Sequence, residues 1–187
     1  MRAYIGLGAN VGQPDVTLAH AVRALSALPG VRLDGVSDLY RTRPVGVTDQ
    51  PDFLNAVVAL DVPAGADPES GALALLSALK GLEAALGRQP RERWGPRELD
   101  LDLLLFGPYR VHVERPGGRW LQVPHPQMPE RLFVLAPLAE LSPELRPPGW
   151  NETVAQAAAR RRAAEGEEAV SGIGRWDAAL GAWRADG

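Results

Sequence analysis

Two carboxylates placed two residues apart carry the clearest chemical signal in this chain. Asp100 and Asp102 sit inside "RWGPRELDLDLLLF" (93–106), among Leu99, Leu101, Leu103, Leu104, Leu105 and Phe106. In a strand, residues i and i+2 point the same way, so the aspartates share one face and Leu99, Leu101 and Leu103 share the other. Paired carboxylates are costly to bury without partners. Mg²⁺ suits them, because it takes few carboxylates, keeps several waters and accepts phosphate oxygens. A span of roughly 6.5–7 Å between the two Cα atoms would fit two ions. A half-exposed strand with its aspartates in water explains the pair equally well at this point.

The loop upstream shifts the balance. Arg88, Arg91, Arg93 and Arg97 crowd residues 88–97, around Trp94, Gly95 and Pro96. Guanidinium groups match phosphate geometry in bidentate fashion, so the loop and the carboxylates together suggest Mg²⁺ with a polyphosphate. A solvated basic loop is the plainer reading. Lys80, the only lysine, lies in "SALKGLE", so there is no Walker A loop. Gly6, Gly8 and Gly12 of "GLGANVG" miss the dinucleotide-loop spacing and read as a tight strand-to-helix turn. Phe53 and Asn55 share a strand face and could stack on and hydrogen-bond a flat heterocycle. A core phenylalanine and a structural asparagine are the simpler reading. His125, Arg131 and Phe133 in "VPHPQMPERLF", and Glu83 on a helix face, are equally ordinary as structural residues.

The elements that must hold these groups follow from patterning. A strand over 2–8 leads to a helix over 14–28, with Leu18, Val22, Leu25 and Leu28 at helical spacing. A strand over 31–40, with Gly35 at a bulge, is followed by a loop over 41–51 and a strand over 53–62. A helix over 68–86 has Pro68 at its start and Gly87 past its end. The arginine loop (87–97) and the aspartate strand (98–106) close a βαββαβ series. The expected fold is therefore mixed α/β (α+β): a ferredoxin-like core with an antiparallel sheet and two helices on one face. A hairpin over 109–123 turns at Pro116-Gly117-Gly118. A loop and short helix over 124–141 could cover the second face, giving an α/β/α sandwich. A polar helix over 151–169 starts from an Asn151 cap, and Trp176, Leu180 and Trp183 fall on one face of a terminal helix.

Bulk properties bound the rest. A length of 187 residues fits one domain, or one domain with an appendage. A net charge of −3 argues against a chain-wide nucleic-acid footprint, and the lack of cysteine excludes disulfides and thiolate metal sites. The start has no signal-like apolar region and no apolar run would span a bilayer. We expect a soluble cytoplasmic protein with no nucleic-acid or membrane partner.

Together, "YIGLGANVG", "YRTRPVGVTDQPDFLNAVVAL", "LEAALGRQPRERWGPRELDLDLLLF" and "VPHPQMPERLFVLAPLAEL" resemble the 6-hydroxymethyl-7,8-dihydropterin pyrophosphokinase family of folate biosynthesis, from residue 3 to about 148. The resemblance implies the ferredoxin-like α/β/α fold and transfer of a pyrophosphoryl group from ATP to the pterin hydroxymethyl group, releasing AMP. It implies that Asp100 and Asp102 bind two Mg²⁺ ions, with Asp102 a candidate to help take the hydroxyl proton. Arg88 and Arg97 would hold phosphates, and Trp94 would seal the pterin pocket beside the nucleotide. The pterin would meet Asn55, stack between Phe53 and Phe133, and be read by backbone around Thr42, Arg43 and Val45. Glu83, His125 and Arg131 match the ATP side, with adenine against backbone near Leu103 and Gln122. The chain departs from the pattern at Pro126, where an aromatic often follows the histidine, and at Lys80, where glutamine is common. Its 88–94 loop reads about one residue short, which leaves Arg91 without a set counterpart. Residues 1–160 would form the pyrophosphokinase domain of a monomer, and 161–187 a C-terminal helical extension of unknown role.

Three other classes account for fewer of these residues. An Asp-x-Asp glycosyl- or nucleotidyltransferase leaves Phe53, Asn55 and the 125–133 segment unexplained. A non-catalytic pterin- or nucleotide-binding module need not keep the aspartate pair. A ferredoxin-like RNA-binding module would need paired aromatics on a strand and a basic surface.

Overall fold

A computed structural model describes residues 1–44, 49–89, 95–115 and 119–185. Strand β1 (Arg2–Ala9) runs into helix α1 (Pro14–Ser26). Strands β2 (Arg32–Val36), β3 (Leu39–Thr42) and β4 (Phe53–Asp61) precede helix α2 (Pro68–Ala85), and β5 (Asp100–Phe106) completes the core. The main sheet runs β5-β1-β4-β3, with β2 also paired to β4, and every pairing is antiparallel. This is the βαββαβ series read from the sequence. The expected strand over 31–40 is divided at Ser37, whose hydroxyl accepts the Val57 N–H (2.9 Å) in place of a ladder carbonyl. The pairing register slips between Leu33 and Gly35, the bulge expected there, and β3 extends to Thr42 inside the expected loop.

Alternation along the strands builds two cores. Ala3, Ile5 and Leu7 of β1 and Leu101 and Leu103 of β5 pack with Leu18, Val22 and Leu25 of α1 and Leu76 and Leu79 of α2. Tyr4, Val57 and Ala59 pack on the opposite face with helices α3 (Leu132–Leu141) and α4 (Val154–Glu165). The result is an α/β/α sandwich. A register slip between Tyr4 and Ile5 lets both Leu104 and Leu105 join the second core, so the run Leu103–Phe106 stays buried despite strict alternation before it.

Caps set the helix ends. Asp67 accepts the Ser70 N–H (2.8 Å) and hydroxyl (2.6 Å), with Pro68 opening α2. The cap expected at Asn151 falls instead at Thr153, which forms a reciprocal capping box with Gln156. The hairpin expected at 109–123 is present as β6 (Val111–Arg115) and β7 (Arg119–Val123), and its turn at 116–118 lies outside the described residues.

The terminal helix expected around Trp176, Leu180 and Trp183 is overturned. Strands β8 (Val170–Asp177) and β9 (Ala182–Arg184) form a hairpin, and β8 pairs with β3, extending the main sheet. Trp176 and Trp183 are cross-strand partners with centroids 4.7 Å apart, and Asp177 Oδ1 accepts the N–H groups of Ala179 and Leu180 to shape the turn. Gly174 lies so close to β9 that an added Cβ would stand 2.7 Å from the Arg184 carbonyl oxygen. Among the described residues, no helix is long and apolar enough to cross a membrane.

Candidate active site

The carboxylates end up where alternation places them. Leu101 is fully buried toward α1 and α2, which fixes β5, while Asp100 and Asp102 project from the other face. Their cross-strand partners on β1 are Gly8 and Gly6. With no side chains there, the sheet surface beside the aspartates forms the floor of a cavity of about 290 Å³. Gly8 also faces Asn55 on β4, and an added Cβ would stand 3.2 Å from the Asn55 amide oxygen. Gly6 and Gly8 lie within the strand expected over 2–8, under the pocket rather than in the strand-to-helix turn; only Gly12, at φ +71°, belongs to the turn before α1.

Thr42, Arg43, Phe53, Asn55, Arg97, Asp100, Asp102, His125, Arg131 and Phe133 all line this one cavity, although they come from β3, β4, β5 and the segment entering α3. Asn55 donates from Nδ2 to the Thr42 hydroxyl (2.9 Å), so both buried polar groups are held in place. Gly6, Gly8, Gly95, Leu104 and Gln127 line it as well and were not anticipated. The glycines' period-two placement within an apolar strand was the available signal. Leu103 turns its side chain into the α1–α2 core and Gln122 is exposed on β7; neither lines the cavity. Val45, Trp94, Arg91 and Arg93 lie outside the described residues.

The electrostatics are organised around Asp100. Arg88 reaches Oδ1 (2.8 Å) and Arg97 reaches Oδ2 (2.5 Å). Arg88 also pairs with Glu83 of α2. Burial alone would lower the Arg88 pKa; Asp100 and Glu83 outweigh it and raise the value. Glu83 is only 3% exposed and does not reach the cavity. Its Oε1 accepts from the Leu101 N–H (2.7 Å) and from Lys80 (2.7 Å), which ties α2 to the aspartate strand. Asp102 has a looser partner, Arg131, at 3.6 Å. Arg131 also lies 5.5 Å over the Phe133 ring and donates to Gln127. His125 Nδ1 accepts the Gln127 N–H (3.3 Å), which leaves Nε2 to carry the proton. Burial holds the imidazole below its usual range against the pull of Asp102, with Arg131 adding to the lowering.

The donor set suits the expected cation. Asp100 and Asp102 offer oxygen ligands from one strand face, at 23% and 30% side-chain exposure. Among the described residues, no group of three His, Cys, Asp or Glu side chains could hold an ion unaided. The carboxylate pair fits Mg²⁺, which takes one or two carboxylates and completes its shell with water and phosphate oxygens.

The fold and the pocket define a class: a ferredoxin-like α/β protein with an arginine-flanked carboxylate pair beside an aromatic-lined slot. Residues 4–143 match the model of the 7,8-dihydro-6-hydroxymethylpterin-pyrophosphokinase (HPPK) family, and the chain belongs to that family. It is 46% identical over 159 residues to the 2-amino-4-hydroxy-6-hydroxymethyldihydropteridine pyrophosphokinase of Methylorubrum extorquens, covering 85% of this chain and 92% of that one. The protein of the same name from Pseudomonas aeruginosa is 45% identical over 147 residues, covering 79% and 84%. Among solved structures, wild-type Plasmodium falciparum HPPK-DHPS superposes with a TM-score of 0.75 at 13% identity, covering 98% of this chain and 50% of that one. The chain thus spans about half the length of the solved chains it matches, and that likeness supports the fold.

Proposed function

We propose that this pocket transfers the β,γ-diphosphoryl unit of ATP to the hydroxymethyl oxygen of 6-hydroxymethyl-7,8-dihydropterin, giving the pterin diphosphate and AMP. Pyrophosphate transfer to hydroxymethyldihydropterin in folate biosynthesis is the reaction of the family to which the chain belongs. The observation that carries the residue-level reading is the meeting of the carboxylate pair with the Phe53–Asn55–Phe133 slot in one cavity.

In this reading the new bond forms between the hydroxymethyl oxygen and the β-phosphorus. The bond from the β-phosphorus to the bridging oxygen breaks, and AMP leaves with that electron pair. Asp100 and Asp102 would hold two Mg²⁺ ions, which when bound would neutralise phosphate charge. Arg88 and Arg97 grip the phosphates, with Glu83 acting through Arg88. Arg131 and His125 serve the nucleotide side; the neutral imidazole can donate from Nε2 to a phosphate oxygen. Asp102 helps take the hydroxyl proton. Asn55, Thr42, Arg43 and Val45 read the pterin edge, Phe53 and Phe133 cover its faces, and Trp94 closes over it. Main chain near Leu103 and Gln122 meets the adenine. The rate comes from positioning and from fixed charge aimed at the phosphates.

Residues 1–160 act as the pyrophosphokinase domain, in a cytoplasmic monomer without nucleic-acid or membrane partners. Every residue lining the cavity falls within them. Residues 161–187 serve as an extension that braces β3, to which β8 is paired from Thr42↔Val170 to Leu39↔Gly174. Asp102→Asn tests the metal reading. Turnover should fall on the order of 10²-fold or more, while pterin affinity, measured by ligand fluorescence, stays within a few-fold. Full activity in that variant would remove the assignment.

A further inference from the structure

The segment "GLGANVG" holds one polar side chain, and the reaction above does not use it. Asn10 follows β1 directly and is only 3% exposed. Its backbone N–H donates to the Arg97 carbonyl (3.0 Å), and its Oδ1 accepts the Arg97 N–H (2.8 Å). Its Nδ2 donates to Gln50 Oε1 (3.0 Å) and to the Pro51 carbonyl (2.9 Å). One side chain therefore ties together three stretches separated by 40 and 87 positions in sequence.

Those stretches lead into the two halves of the pocket. Pro51 lies two residues before Phe53, which opens β4 and its row to Asn55. Arg97 itself lines the cavity and grips Asp100 three residues later. Asn10 is not a helix cap, because α1 begins at Pro14 with Gln13 in the cap position. The site needs one acceptor and two donors on a short, planar group. Aspartate lacks the donors, serine has a single O–H, and glutamine is one methylene too long.

We propose that Asn10 is a positioning residue that sets the pterin-binding half of the pocket against the phosphate-binding half. It touches neither substrate. It acts through the Gln50–Pro51 segment on one side and through the Arg97 backbone on the other. The inference rests on the function proposed above, so its test carries readouts that do not need turnover.

Asn10→Asp separates the two arms. The carboxylate keeps the acceptor for the Arg97 N–H but sets an oxygen against the Pro51 carbonyl. Pterin Kd, by fluorescence, should rise about tenfold, the size expected for a lost and reversed buried hydrogen bond. The Kd of a non-hydrolysable ATP analogue, by calorimetry with Mg²⁺, should stay within about threefold. Asn10→Ala removes both arms and should weaken both ligands and lower kcat. Hydrogen exchange at the Arg97 amide reads the bond itself: protection should persist in Asn10→Asp and be lost in Asn10→Ala, whatever reaction the protein catalyses. Thermal unfolding of both variants controls for folding. If Asn10→Ala does not fold, Asn10→Asp and Asn10→Ser carry the comparison. Equal losses for both ligands in Asn10→Asp, tracking the drop in Tm, would overturn positioning in favour of a purely structural role. So would unchanged affinities and kcat in folded Asn10→Ala.

Discussion

Removing the charge of Glu83 without changing its shape should destabilise the protein and loosen the phosphate side of the pocket. Glu83 is 3% exposed, and its oxygens serve Lys80, the Leu101 N–H and Arg88. In Glu83→Gln the remaining carbonyl oxygen can still take the Leu101 N–H, but the amide NH₂ then faces the Arg88 guanidinium, donor against donor. Two charge-assisted bonds are weakened or lost, each contributing about 1.5–3 kcal/mol. Relief from desolvating a carboxylate offsets part of that, and Arg88 keeps Asp100 as a partner. A net cost of about 2–3 kcal/mol follows, equivalent for a chain of this size to a fall in Tm of roughly 4–12 °C. Urea and thermal unfolding measure the cost. Calorimetry with an ATP analogue should show weakened binding, while pterin affinity stays near that of the unmodified protein. A variant that unfolds within about 0.5 kcal/mol of the unmodified protein and binds nucleotide equally well would refute the reasoning, because the buried carboxylate would then neither brace β5 nor steer Arg88.

Two further outcomes test the periphery of the site. Trp183 donates from Nε1 to the Ser37 carbonyl (2.8 Å) and packs edge-on against Trp176; Trp183→Phe should cost about 1–2 kcal/mol, read as a lowered urea midpoint at unchanged m-value. Glu140 accepts the Asp38 N–H and the Tyr40 hydroxyl, and its pKa is raised from 4.5, chiefly by burial and then by Asp38, against the lowering effect of its hydrogen bonds and of Arg175 on β8. The folded state therefore holds this proton longer than the unfolded chain, so the contribution of Glu140 is present below pH 4.5 and is lost as pH rises through its folded pKa. Stability profiles should show that decline in the unmodified protein and not in Glu140→Gln; parallel profiles would contradict it.

The core was legible because local signals agreed with one another. Period-two apolar runs, Pro68 and Gly87 bracketing α2, and the Leu18–Val22–Leu25 stripe point to the same βαββαβ order that the sheet displays. The aspartate face was legible for the same reason: burying Leu101 forces Asp100 and Asp102 outward. The C-terminus was misread because a spacing of seven residues suits both one helix face and a cross-strand pair. Gly172, Gly174 and the Asp177 turn decide for the hairpin. Gly6 and Gly8 fall in the strand expected over 2–8, but their place on the floor of the pocket was not legible, because only the pairing of β1 with β5 reveals what they face. Asn10 could not be found by pattern at all, since its partners at Gln50, Pro51 and Arg97 converge only in three dimensions.

If one pocket joins a pterin slot to a seat for nucleotide phosphates, a diphosphate unit moves intact from ATP to the pterin. A single-turnover reaction of the full chain with 6-hydroxymethyl-7,8-dihydropterin, Mg²⁺ and ATP labelled at the β-phosphorus follows that transfer. The label should appear in the pterin product together with an equimolar amount of AMP. Release of ADP or of free pyrophosphate, or a folded protein that binds both substrates and forms no pterin diphosphate, would contradict it.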